Sequence, residues 1–441
     1  DPGTRLGGLL PDHYHSVVSA STVTQRKIAL SAGELILPSA TEAFHPVYDE
    51  LSEHDGFAVT AQLFVRFFAR IDVETLPPSG PGSADADASV QLFELDSEPI
   101  ERVEFEWELV EDSSGGSPDQ TLLLSPIRAL KPKTRYGLAV TNTLKTTDGD
   151  CIAPSSTMGS ILDGTATGFD HVLPPIERLV AALVADDAID NAGELTLAVT
   201  FQTQSVTEES VELTDTVRAR EVQFSSDGPC ETQQPGILRC TGTLNALDYR
   251  GDDGVIGVAD RFAPRAVALG VTAWIPDEPG PHQSVIFGHG LGGDREQAQF
   301  LADQVVSPQS GTKSAVIAPD APFHGTHPDC AGRSCPDLLT FFGFDISSLP
   351  LRFEGHRFRD NLRQANLDKQ HIVNAILGGL DVDDDGVDDF ASDGIHYVGG
   401  SLGGIMGGEF VAMTPELDTV SLIVPGARLI DVIREIDAAP V

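Results

Sequence analysis

From Arg357 to Leu380, Leu362, Ala365, Ile372, Val373, Ile376 and Leu377 recur at helical spacing. That pattern predicts one long helix with an apolar inner side. Leu402, Ile405, Met406, Phe410 and Met413 repeat the same period over Leu402–Met413, and Asp294–Val306 reads as a third helix. Between them lie β-prone apolar segments: Ala266–Ile275, Ser284–Phe287, Ser314–Ala318, Ile395–Val398 and Val420–Val424. Ser314–Ala318 is short and apolar, as expected of a strand buried on both faces. Strands alternating with helices from about residue 240 onward predict an α/β domain with a mainly parallel, doubly wound sheet.

The first half reads differently. Ala58–Ile71 alternates apolar and polar residues, and Val90–Leu95, Val103–Val110, Thr121–Leu124 and Tyr136–Asn142 are further strands. Pro, Gly, Ser and Asp clusters separate them, notably Leu76–Ser89 and Asp112–Gln120. Short strands at such spacing predict a sandwich. The stretch Leu130-Lys131-Pro132-Lys133-Thr134-Arg135-Tyr136 resembles bacterial Ig-like modules, in which L-x-P-x-T-x-Y joins two strands. Pro174–Ala188 predicts one amphipathic packing helix, with Ile176, Leu179, Val180, Leu183 and Val184 on its stripe. Leu195–Gln202 is a strand and Val211–Glu221 a connecting helix or linker. The boundary falls near Ser225–Pro235. Residues 1–230 then form a β-rich domain and residues 231–441 the α/β domain.

Composition narrows the function classes. The formal net charge is −39, which repels nucleic-acid phosphates and anionic membrane surfaces. The carboxylates are scattered rather than gathered in a tail, as on a highly solvated surface. No apolar run reaches the ~20 residues that span a bilayer. Of five cysteines, Cys230 with Cys240 and Cys330 with Cys335 bracket short loops. Two local disulfides imply an oxidising compartment. Cys330 and Cys335 as metal ligands is the weaker alternative, because no second ligand pair stands at zinc spacing. Cys151 is left over. The start Asp1-Pro2-Gly3 carries no methionine, basic stretch or apolar leader, which fits equally a mature secreted or cell-surface chain and a piece cut from a longer one.

Three motifs carry chemistry. Gly399-Gly400-Ser401-Leu402-Gly403 spells G-x-S-x-G between a predicted strand and a predicted helix, the context a nucleophile elbow requires. With 43 glycines in the chain, the pentapeptide alone would mean little; its flanks give it weight. Phe287-Gly288-His289-Gly290-Leu291-Gly292-Gly293 directly follows a strand, where an oxyanion hole is built. The candidate donors are the N–H of Leu402 and of a residue at Gly290–Leu291, with His289 in the same loop. Pro319-Asp320-Ala321-Pro322-Phe323-His324-Gly325-Thr326-His327 follows the next strand, and His324 is a structural residue or a proton shuttle.

Together these residues resemble secreted bacterial lipases and esterases of the α/β-hydrolase superfamily, of the virulence-factor-lipase type. The likeness is clear over residues 240–430 and looser before them. It implies an α/β-hydrolase sheet behind an Ig-like sandwich, and hydrolysis of lipid or other carboxylic esters through an acyl-enzyme on Ser401. A peptidase on the same fold is the near alternative. The superfamily order is Ser, then Asp or Glu, then His. All twelve histidines here precede Ser401, and the last is His396. Asp431 and Asp437 follow the next strand, whereas the superfamily's acid follows a later one. The expectation is therefore a sheet incomplete at the C-terminus, with acid and His on a further segment or a companion chain. An unusual base at His324 or His289, or an inactive site, are the alternatives.

A fourth element, Asp381-Val382-Asp383-Asp384-Asp385-Gly386-Val387-Asp388-Asp389, follows D-x-D-x-D-G-x-x-D. Asp381, Asp383, Asp385, the Val387 carbonyl and Asp389 are the candidate ligands of a structural Ca2+. Ser392 stands where an EF-hand has its bidentate Glu, so the loop is closer to thrombospondin- or dockerin-type loops. Calcium, acidity and the Ig-like domain also fit a non-catalytic surface or adhesion protein.

Overall fold

The computed structural model describes residues 9–30, 45–111, 120–257, 263–307, 311, 313–345, 347–349 and 351–426. Two compact units divide between Val206 and Thr207, earlier than the boundary expected near 230. The intervening residues join the second unit because Phe224–Ser226 pairs antiparallel with Gly242–Leu244.

The first unit contains two four-stranded antiparallel sheets. One orders Leu9–Leu10, Leu63–Phe67, Gln120–Pro126 and Phe105–Glu111; the other orders Leu195–Gln202, Arg135–Thr141, Val90–Glu94 and Glu101–Arg102. Leu63, Val65, Phe105, Leu122 and Leu124 from the first meet Leu92, Leu138, Val140 and Phe201 from the second in one core. The expected sandwich is thus present. Helix Leu173–Ala185 covers the outer side of the second sheet, with Ile176, Leu179 and Leu183 against Phe93, Ala139 and Ala198. Val184, assigned to its apolar stripe, is exposed.

In the second unit, helix α1 (Glu208–Arg218) precedes strands β1 (Phe224–Ser226), β2 (Glu231–Gln234), β3 (Ile237–Asp248) and β4 (Arg265–Pro276). There follow β5 (His282–Gly288), α2 (Gln299–Val305), β6 (Ser314–Pro319), α3 (Gly355–Leu377), β7 (Phe390–Gly400), α4 (Leu402–Ala412) and β8 (Leu417–Ile423). The sheet order is β1-β3-β4-β6-β5-β7-β8, with β2 also on β3. Among the described strands of this sheet, β6, β5, β7 and β8 run parallel to one another. From β6 outward through β4 to β1 every pairing is antiparallel, so the sheet is mixed rather than mainly parallel. β3 and β4 form a hairpin in unbroken register from Ile237↔Pro276 to Asp248↔Arg265, and a hairpin connection forces antiparallel pairing.

Helices cover both faces. Ile372, Val373 and Ile376 of α3 share a core with Leu244, Val271, Ile286, Ile317 and Tyr397. Opposite them, Ala298, Ala302 and Val306 pack on Trp274, Val285, Phe287 and Val316. Cys230–Cys240 and Cys330–Cys335 are disulfides and Cys151 is free and exposed. No described helix is long and apolar enough to cross a membrane.

Candidate active site

β7 runs into Ser401, whose φ of 51° and ψ of −112° form a sharp strand-to-helix turn. Left-handed φ costs a residue with a Cβ about 1–3 kcal/mol and persists where the surroundings enforce it. Here the Ser401 N–H donates to Ile423 O at 3.0 Å, and its carbonyl accepts from Ile405 N–H at 3.0 Å. A Cβ at Gly399 would strike the Gly403 backbone, and one at Gly403 would strike the Gly288 carbonyl. Both glycines are therefore steric requirements of the turn. Ser401 itself is exposed at the top of the sheet.

β5 lies beside β7, with Gly288 opposite Gly399, so the loop after β5 arrives at the elbow. A Cβ built on Gly290 would lie 3.6 Å from Ser401 Cβ. His289 O accepts from Gly403 N–H at 3.0 Å, and Gly290 O accepts from Gly293 N–H at 3.1 Å. Gly290 N–H donates to Gln297 Oε1 at 3.1 Å. Of the two candidate donors in this loop, Gly290 is thus already engaged, which leaves Leu291. Leu402 opens α4, and first-turn N–H groups have no acceptor within their helix. The helix dipole adds positive potential at that end.

The two loop histidines are buried. His289 Nδ1 lies 2.8 Å from Gly290 O, and its Nε2 accepts from Ala321 N–H at 2.9 Å. Both ring nitrogens are engaged, and burial lowers its pKa to about 4, partly opposed by the Gly290 bond. His324 is fully buried, with Nδ1 2.8 Å from Pro322 O. Its Nε2 is buried without a partner, and burial lowers its pKa. Among the described residues, no histidine hydrogen-bonds Ser401 Oγ. Asp431 and Asp437 lie outside the described residues.

A buried ionic chain escaped the sequence reading. His327 Nδ1 is 3.1 Å from Asp329 and its Nε2 is 3.2 Å from Asp368 on α3. Arg250 pairs with Asp248 and Asp329 and reaches Asn361 of α3 at 2.8 Å. Burial alone would lower the His327 pKa; the two carboxylates reverse this and raise it to about 9. α3 also buries Asp360, Gln364, Lys369, Gln370 and His371. Polar residues on so many sides of one helix read as a solvated face in sequence. Only long-range partners show otherwise.

In the acidic loop, one carboxylate oxygen each from Asp381, Asp383 and Asp385 gather within 4.8 Å of one another. Gly386 N–H donates to Asp381 Oδ2, and Val387 N–H to Asp385 Oδ1. Asp381 Oδ1 is shielded and has no partner. Asp389 instead turns its carboxylate back to Val382 N–H at 2.7 Å. Burial raises its pKa to about 7; the Val382 N–H opposes this and the neighbouring carboxylates add to it. The loop closes through Asp389 N–H to Leu380 O, and Asp389 O receives His282 N–H of β5. It therefore anchors the start of the β5–β7 pair.

The strand order, the elbow and the loop beside it define an α/β-hydrolase-type fold. No protein-family profile and no curated protein sequence matches the chain. Solved structures similar to it include acetyl xylan esterase 1 from Thermoanaerobacterium sp. JW/SL YS485, at 15% identity and TM-score 0.32, covering 53% of this chain and 63% of that one. The acetyl xylan esterase from Paenibacillus sp. R4 is 14% identical at TM-score 0.35, covering 52% and 62%. A CE15 glucuronoyl esterase from Teredinibacter turnerae T7901 is 13% identical at TM-score 0.28, covering 46% of each. The chain spans less than two thirds of the length of each of these proteins.

Proposed function

We propose that the chain is a secreted serine hydrolase that cleaves carboxylic esters, with Ser401 as nucleophile. The observation that supports this most is the strained Ser401 turn set against the Gly290 loop. Ser401 Oγ attacks the ester carbonyl, and the oxyanion rests on the N–H groups of Leu402 and Leu291. The alcohol leaves, and water releases the acid from the acyl-enzyme. The proton must pass through a base; His289 is neutral with both nitrogens engaged, and His324 is fully enclosed. Among the described residues no other histidine hydrogen-bonds Ser401, so base and acid are left without an assignment. Apolar acyl esters, as in virulence-factor lipases, are the proposed substrates.

The three gathered carboxylates, and the shielded Asp381 oxygen without a partner, fit a hard cation. Asp381, Asp383 and Asp385 would hold Ca2+, with the Val387 carbonyl as a further ligand and Asp389 bracing the loop. Its role would be structural. The Ig-like relation of the first unit belongs to the proposal too. Two facing antiparallel sheets support it, as does Tyr136, whose hydroxyl accepts from Lys131 N–H at 2.8 Å, in the manner of a tyrosine corner.

A non-catalytic calcium-binding surface protein is the second reading, favoured by the absence of a base at Ser401 Oγ among the described residues. A fluorophosphonate probe separates the two. Labelling of the wild-type chain that disappears in Ser401→Ala is expected of the hydrolase; equal labelling of both proteins, or of neither, removes Ser401 as its nucleophile.

A further inference from the structure

We infer that Gln297 is a positioning residue of the oxyanion hole; this rests on the hydrolase reading above. A trans peptide is planar, so fixing its C=O fixes the opposite direction of its N–H. The Gly290 carbonyl and the Leu291 N–H belong to one peptide. His289 Nδ1 and Gly293 N–H both hold that carbonyl, which aims the Leu291 N–H the other way.

The preceding peptide carries the His289 carbonyl and the Gly290 N–H. Its carbonyl is tied to Gly403 N–H in the first turn of the elbow helix. Its N–H is tied to Gln297 Oε1. The 289–290 peptide is thereby held at both ends, and the 290–291 peptide at its carbonyl. Of these restraints, the Gln297 bond is the one made by a side chain that follows the loop.

Gln297 reaches this place because the chain around it is built to allow it. Asp294 caps the short helical turn Arg295–Ala298 by accepting Glu296 N–H, which brings position 297 back over the loop. The carboxamide then lies where a Cβ at Gly293 would be, so a side chain there would push it out of this place. Gln297 Oε1 is also 3.7 Å from the Cβ position built on Gly290, on the same side of the turn as the nucleophile. Without an acceptor at 297, Gly290 N–H loses its partner. The 289–290 peptide then keeps only its Gly403 tie and can tilt about it, which loosens the aim of the Leu291 donor in the next peptide.

Donor aim matters in the transition state more than in the ground state, because the oxyanion exists only there. Gln297→Met, which keeps length and loses the acceptor, is therefore expected to lower kcat on a p-nitrophenyl ester about 10- to 100-fold with KM little changed. The rate of Ser401 labelling by a fluorophosphonate should fall in parallel, at unchanged Tm. Amide hydrogen exchange at Gly290 should accelerate. Gln297→Glu restores an acceptor and should return the slow exchange at Gly290. Full labelling and turnover in Gln297→Met overturn the inference, as does a loss that appears in KM and Tm together. Absence of labelling in the wild-type chain overturns the hydrolase reading and this inference with it.

Discussion

Replacing His327 by Gln tests the buried ionic chain, and its magnitude follows from the geometry. His327 is 3% exposed and bridges two carboxylates at 3.1 and 3.2 Å. Its pKa rises from 6.5 to about 9 in the fold. A raised folded pKa stabilises fully below the unfolded value and is lost as pH climbs through the folded one. At 1.36 kcal/mol per pH unit the contribution is about 3 kcal/mol. It is complete near pH 6 and gone by about pH 9.5. Asp329 is shifted in the opposite direction: burial opposes its charge, but His327 and Arg250 outweigh burial and lower its pKa. Its contribution is present above its ordinary range and lost on acidification, so it does not enter this window. Lys369, lowered by burial to about 8, acts in the reverse sense above pH 8, and is common to both proteins.

The assay is urea unfolding of wild type and His327→Gln, each in a Trp107→Phe background. The chain has two tryptophans, and Trp274 is fully buried in the second unit. Its fluorescence then reports that unit alone, which avoids averaging two transitions. Wild type should exceed the variant by several kcal/mol near pH 6, and the gap should shrink by about 3 kcal/mol by pH 9.5. A gap that stays constant across this range would refute the assignment of a charged imidazole.

Gly403→Ala places a methyl group against the Gly288 carbonyl; it should cost about 1–3 kcal/mol, lower Tm by roughly 2–4 °C per kcal/mol, and slow Ser401 labelling, whereas unchanged labelling would mean that β5 and the elbow are not in contact. Ca2+ at about a hundredfold excess over its Kd should stabilise the second unit by roughly 2.7 kcal/mol, an effect removed by EGTA and by Asp385→Asn; melting that is indifferent to both would remove the cation from the proposal.

The sequence made the elbow legible because its signal is local: glycines at fixed offsets, a β-prone segment before and a helical period after. The same holds for β5, β6 and the Gly288–Gly293 loop. Strand β3 was missed. Its inward positions Cys240, Gly242, Leu244 and Ala246 include small residues, and Thr241, Thr243 and Asn245 alternate with them, so no hydrophobic run marks it. Antiparallel pairing in half of the sheet follows from chain connection, which periodicity does not encode. The parts played by Gln297 and His327 were invisible for another reason. Each gains its role from a partner distant in space or direction: a loop amide for one, and carboxylates on separate elements for the other.

β5 and β7 are neighbours in the sheet, paired from Ser284↔Ile395 to Gly288↔Gly399. One leads into the Gly288–Gly293 loop and the other into Ser401 and α4. The distance between the two halves of the site is therefore a lattice constant of the sheet, about 4.8 Å per strand spacing. A ligand has no gap to close between them. An acyl phosphonate seated on Ser401 should thus leave this strand pair where it stands in the free protein, and any induced fit must come from the loops.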